Sequence, residues 1–183
     1  MHTPSRQELD RARKIYAQHE PTDLFYKVAT ELISLALESK TRISLAQAIL
    51  VLLHTWNKSF YRFHPEELNQ IGWLDTRIAD QQDKISRFRK SRQYLSIPDE
   101  AAEVGTLFEA FEMSLGPVGA SKALHLLAPN TFPIWDNKIA LRGYTTRFGK
   151  RGTNGLKYCR FMQTVYEQIE TISKHHPTDP IKA

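Results

Sequence analysis

At 183 residues the chain is long enough for one substantial core, or for two small lobes sharing an interface. Hydrophobic content of 41% with 25% charged residues excludes global disorder, and the single cysteine, Cys159, excludes an intrachain disulfide and any four-cysteine metal cluster. The net charge of +5 is unevenly placed: seven Lys/Arg and no acid lie between Asn137 and Tyr166, and "KISRFRKSR" (84–92) adds five more. Such blocks suit a polyanionic partner, because each cation that neutralises a phosphate releases counterions. The competing reading is a solvated helix face balanced by acids elsewhere.

In chain order the pattern is helical almost throughout. Ser5 and Glu8 form a capping box that predicts a polar amphipathic helix over 6–19. Pro21-Thr22 opens a second helix, with Leu24, Phe25, Val28, Leu32, Ile33 and Leu35 spaced to bury one face. Ser44 and Gln47 make another capping box before "LAQAILVLLHTW", which is apolar nearly all round and therefore central. A short helix begins at His64-Pro65, a charged helix spans 74–93, and Pro98-Asp99-Glu100 starts a helix that ends at Gly116. After "GPVGASKALHLLAPNTFPIWDNKIA" (116–140), "NKIALRGYTTRF" reads as helix, "GKRGTNG" as a loop, and 155–174 as a last amphipathic helix. The expectation is an all-α fold: a single helical unit over 1–175 with two lobes, and a flexible tail at 176–183. No apolar run approaches the ~18–20 residues of a membrane span, and the N-terminus lacks the apolar core of a secretory signal. With one cysteine, this points to a reducing, cytoplasmic setting, nucleoid-associated in a bacterium.

The stretch 116–140 carries the chemistry. Gly116 ends one helix, Pro117 forces a bend, and Gly119 permits close backbone approach, so the amides of 118–121 open a second helix as a natural phosphate site. Asp136 then stands at the start of a further segment, beside Trp135. Taken alone, Gly-x-x-Gly between helices is usually packing, and an aspartate there is an N-cap accepting the Ile139 N–H.

Together, "LGPVGASKA" (115–123) and "FPIWDNKI" (132–139) resemble the helix-hairpin-helix base-excision DNA glycosylases, the second segment being similar to the adenine-glycosylase form. The helix-hairpin-helix would lie at about 105–127, and "AILVLLHTWNKSFYRFHPEELNQIG" looks like the family's helix and wedge region. The resemblance implies a two-lobed helical fold and a monomer acting on double-stranded DNA. It gives Asp136 the role of catalytic carboxylate, stabilising an oxocarbenium-like sugar and orienting a water. Gly116, Val118, Gly119, Ser121 and Lys122 would bind DNA at the hairpin, Trp56 or Asn57 would act as the wedge, and Lys138 and Arg142 would hold the backbone. Trp135 and His54 would line the pocket of a flipped base. No cofactor is implied; the hairpin would hold at most a monovalent cation through backbone carbonyls, and an iron–sulfur cluster is excluded. Ser121 falls where bifunctional members carry their lysine nucleophile, and Lys122 one place later points about 100° away, so the implied enzyme is monofunctional. His125 reads as a satisfied core histidine. The alternatives are a non-catalytic helix-hairpin-helix protein that holds duplex DNA, with Asp136 only a cap, and an all-α protein that functions through protein contacts.

Overall fold

Ser5 and Glu8 close their capping box reciprocally: the Ser5 amide donates to Glu8 Oε2 (2.7 Å) and the Glu8 amide to Ser5 Oγ (3.3 Å). They open α1 (Arg6–His19), none of whose residues is buried. The computed structural model describes residues 3–19, 23–56, 71–90, 97–143 and 147–175, without the side chains of 97–99, 142, 143 and 175. The expected short helix at 64–65, the wedge residue Asn57 and the tail 176–183 lie outside the described residues.

Every regular element among the described residues is helical: α2 (Leu24–Leu37), α3 (Leu45–Trp56), α4 (Ile71–Asp80), α5 (Gln82–Lys90), α6 (Ile97–Leu127), a π-turn at Ile139–Gly143, and α7 (Gly155–His175). The face that α2 buries differs from the expected one. Ala29 and Ile33 are buried and Tyr26 and Leu32 pack on the core, whereas Leu24, Phe25 and Val28 are exposed. Tyr26, Ala29 and Ile33 share one helical stripe against α3, and Leu24 and Phe25 lie off it. The second capping box forms as expected, with the Ser44 amide donating to Gln47 Oε1 (2.9 Å) and the Gln47 amide to Ser44 Oγ (3.2 Å). Asp75 of α4 reinforces it from a distance, accepting from Ser44 Oγ (3.0 Å) and the Ala46 amide (3.3 Å). The apolar α3 is central as expected, packing on α2, α4 and α6.

The single charged helix expected over 74–93 is instead α4 and α5, separated at Gln81. The Gln81 amide is shared between the carbonyls of Arg77 and Ile78, which tightens the turn. Leu74, Ile78, Ile85 and Phe88 are all buried, so the apolar stripe continues across the break.

α6 is two limbs joined at Gly116, whose φ of 67° and ψ of 171° no other residue type adopts without strain. The first limb contributes Val104, Leu107, Phe108 and Phe111 to the core; the second contributes Ala120, Ala123, Leu124 and Leu127. Two devices hold α7 against the first limb. The buried Glu112 carboxylate accepts from the Asn154 amide (3.2 Å) and side chain, and the Arg151 guanidinium binds the carbonyls of Glu112 and Ser114. Gly155 lies so close to Gly105 that a Cβ there would meet the Gly105 carbonyl oxygen at 2.5 Å. Gly155→Ala is therefore expected to push α7 off α6 and lower stability by about 1–3 kcal/mol, read as a reduced urea midpoint with unchanged slope.

Candidate functional site

The second limb of α6 and the segment 131–136 are built as one piece. Ser121 is fully buried; its Oγ accepts from the Trp135 amide (3.0 Å) and lies 2.9 Å from the Trp135 carbonyl, to which it donates. One hydroxyl thus fixes both backbone groups of the residue before Asp136. His125, one turn further along the limb, sets Nδ1 2.8 Å from the Phe132 carbonyl, and Tyr158 of α7 donates to the Pro133 carbonyl (2.9 Å). Trp135 is fully buried between Phe108, Phe148, Tyr158 and Phe161. A ring enclosed on all these sides anchors the segment and presents no face to a ligand, which corrects the expectation that Trp135 lines a base pocket.

Asp136 itself is half-buried. Its Oδ1 accepts from the Ile139 amide (2.8 Å), and its carbonyl accepts from the Ala140 amide (2.8 Å), so it caps the turn that runs into Ile139–Gly143. The carboxylate's second oxygen accepts no hydrogen bond among the described residues. Lys122 is near enough to be affected by it: burial lowers the Lys122 pKa, and the negative charge of Asp136 partly offsets that by favouring the ammonium. Lys122 is only 7% exposed; its Nζ donates to the Trp56 carbonyl (3.1 Å) at the end of α3 and sits 5.6 Å from the Trp56 ring centroid. It therefore faces inward, toward Trp56 and Asp136, where an outward phosphate contact had been expected.

The other residues expected to bind DNA at a hairpin are also largely enclosed. Gly116, Gly119 and Ser121 are buried and Val118 is half-buried. Lys138 is exposed, in keeping with a backbone contact, while the Arg142 side chain lies outside the described residues. Much of the basic charge has internal partners. Arg87 pairs with Glu103 and Glu100, Arg89 Nη1 donates to the Leu127 carbonyl (2.7 Å) at the end of the second limb, and Lys157 Nζ to the Arg147 carbonyl (2.9 Å). Arg147, Lys150 and Arg160 are also exposed.

Beside this assembly opens a cleft of about 560 Å³, walled by the start of α2, the end of α3, His125 and Ile134. Trp56 and Tyr26 supply parallel rings with centroids 5.7 Å apart. Asp136 is not on this wall; it follows two residues after Ile134, which is. His54 is exposed and does not line the cleft, unlike its expected place in a pocket; Thr55 and Trp56 line it at the end of the helix. Sequence reasoning missed Tyr26 and the lining role of His125. The available signal was spacing: His125 lies three residues after Lys122, on the same face of the second limb.

His125 has a defined state. Phe132 offers only a carbonyl, so Nδ1 carries the proton, and burial holds the imidazole pKa below the ordinary 6.5 despite that carbonyl. Nε2 then accepts from the Tyr26 hydroxyl (3.0 Å). A depressed folded-state value means that the unfolded chain binds the proton more readily, so the contribution to stability is intact above pH 6.5 and lost as pH falls below it. The buried Glu112, whose pKa burial raises, acts with the opposite sign. The expected result is a wild-type urea midpoint that falls relative to that of His125→Gln between about pH 7.5 and 5.5, the difference cancelling Glu112.

Among the described residues no group of three or more His, Cys, Asp or Glu could hold a metal ion, and no helix is long and apolar enough to cross a membrane. Cys159 is buried and its pKa is raised to about 11 by desolvation, so it is a core residue without thiolate character at neutral pH. Compared with protein-family models, curated proteins and solved structures, the chain has no significant match.

Proposed function

We propose that the chain is a helix-hairpin-helix DNA glycosylase-like enzyme of two-lobed fold, acting as a monomer and hydrolysing the N-glycosidic bond of a flipped base in duplex DNA. The observation that carries this reading is that Lys122, on the limb after Gly116, feels the charge of Asp136 and binds the carbonyl of Trp56, whose ring walls the neighbouring cleft. Cleavage of the bond leaves positive charge on the sugar, which a half-buried carboxylate stabilises far better than bulk water does. Water then adds to C1′ as Asp136 takes its proton, the departing base takes a proton from solvent, and Asp136 returns its own to solvent, so base and abasic sugar account for all atoms of substrate and water. The cleft's volume lies in the range of small-molecule sites, and its aromatic walls suit a base taken out of the stack. Lys138, Arg147, Lys150 and Arg160 supply exposed cations for the phosphate backbone.

Lys122 is placed here as an electrostatic and structural partner: its ammonium is held on the Trp56 carbonyl, and the enzyme is monofunctional. A second reading, a non-catalytic duplex-binding hairpin protein, is favoured by the Asp136–Ile139 cap. Incubation with end-labelled duplexes carrying uracil, oxidised, alkylated or hypermodified bases separates the two. The enzyme reading expects a free base by mass spectrometry and a strand that breaks only after alkali. Salt-dependent duplex binding without release of any base supports the second reading.

A further inference from the structure

The cleft's polar groups point to a specific ligand chemistry, and this inference rests on the glycosylase reading above. With Nδ1–H of His125 directed at the Phe132 carbonyl, Nε2 is an acceptor, so the Tyr26 proton is committed to it. The Tyr26 oxygen then has only lone pairs to offer. Asp23, on the same wall, lies at the N-terminus of α2 but makes no side-chain hydrogen bond to its helix, although aspartate is a favoured N-cap. Its backbone is left-handed (φ 45°), and Oδ1 instead accepts from the Tyr16 hydroxyl (2.7 Å), also at the cleft. Asp23 is near enough to Tyr26 for its charge to disfavour the phenolate, adding to the effect of burial. Tyr26 and Asp23 thus form a neighbouring pair of acceptors beside the Tyr26 and Trp56 rings.

We propose that this cleft binds a purine-type base through an edge carrying two adjacent N–H donors, a ring N–H and an exocyclic amine, with Tyr26 and Asp23 as the accepting groups and Trp56 as a stacking face. Each matched donor adds a hydrogen bond, and the one to the carboxylate is charge-assisted. A base lacking a donor leaves one of these acceptors unpaired when the cleft is filled. Discrimination therefore arises from deleting donors.

The test is direct binding to the intact protein of three nucleosides that lose donors in turn: 2′-deoxyguanosine, 2′-deoxyinosine, which lacks the amine, and purine 2′-deoxyriboside, which lacks both donors. Calorimetry, with tryptophan fluorescence as the second signal, should show affinity falling by about three- to tenfold at each step. Asp23→Asn, which keeps the volume, should flatten the series, as should Tyr26→Phe. Urea midpoints of the variants establish that each is folded, and Asp23→Asn alone suffices if Tyr26→Phe is not. Equal affinity for the three nucleosides, or a ranking untouched by Asp23→Asn, overturns the inference whether or not a base is excised from duplexes. The expected ranking without excision from any duplex supports the acceptor pair while the glycosylase reading fails.

Discussion

Ser121→Ala is expected to be among the most destabilising single-atom deletions in the protein and, on the proposed glycosylase reading, to impair base release as well. The change removes only the hydroxyl, but it leaves the Trp135 amide and carbonyl without their shared partner inside a fully buried site. An unsatisfied buried group costs roughly 1–3 kcal/mol, so two amount to about 2–4 kcal/mol after partial relaxation. The same hydroxyl sets the position of Trp135, and with it the direction of the Asp136 carboxylate, so misplacement reaches the proposed catalytic group. On that reading, excision by the residual folded protein should fall at least about tenfold, with duplex binding less affected. Ser121→Thr, which keeps the hydroxyl, should restore part of both; chemical denaturation and single-turnover excision measured on the same preparations check the pair.

This serine also shows how much of the site was legible before the structure. Glycine and proline punctuation placed the break between the two limbs of α6, because Gly116 requires a positive φ and Pro117 begins the limb that follows. Capping boxes at Ser5 and Ser44 located two helix starts, since both partners lie within one turn. The roles that escaped depend on contacts between distant segments. A basic run such as 84–92 does not reveal that Arg87 meets Glu103 and Arg89 meets Leu127, sixteen and thirty-eight residues away. Nor does it reveal that Lys122 turns inward to Trp56, or that Tyr26 reaches His125 across the bundle. Trp135 was misjudged for a related reason: adjacency to Asp136 in sequence says nothing about which side of the segment its ring occupies. The exposed Leu24 and Phe25 show the same limit on a smaller scale, because a helix rich in apolar residues has more than one face to bury.

Asp136→Asn carries the other large effect. Asparagine is as good an N-cap as aspartate, so the Ile139 amide keeps its partner and stability should change by less than about 0.5 kcal/mol. Asp136→Ala, which loses the cap, should cost about 1 kcal/mol. A merely structural role therefore predicts a defect in the alanine variant only. A catalytic role predicts that both variants lose base release by about a hundredfold or more, because neither can stabilise the sugar cation or accept the water's proton.

The most direct measurement is the single-turnover rate of base release by Asp136→Asn, relative to wild type, on the duplex that the wild-type protein processes fastest, with duplex affinity measured in parallel. A catalytic Asp136 predicts a rate reduced at least about a hundredfold at unchanged affinity. Release at the wild-type rate by Asp136→Asn, or no base released by the wild-type protein from any modified duplex, would contradict it.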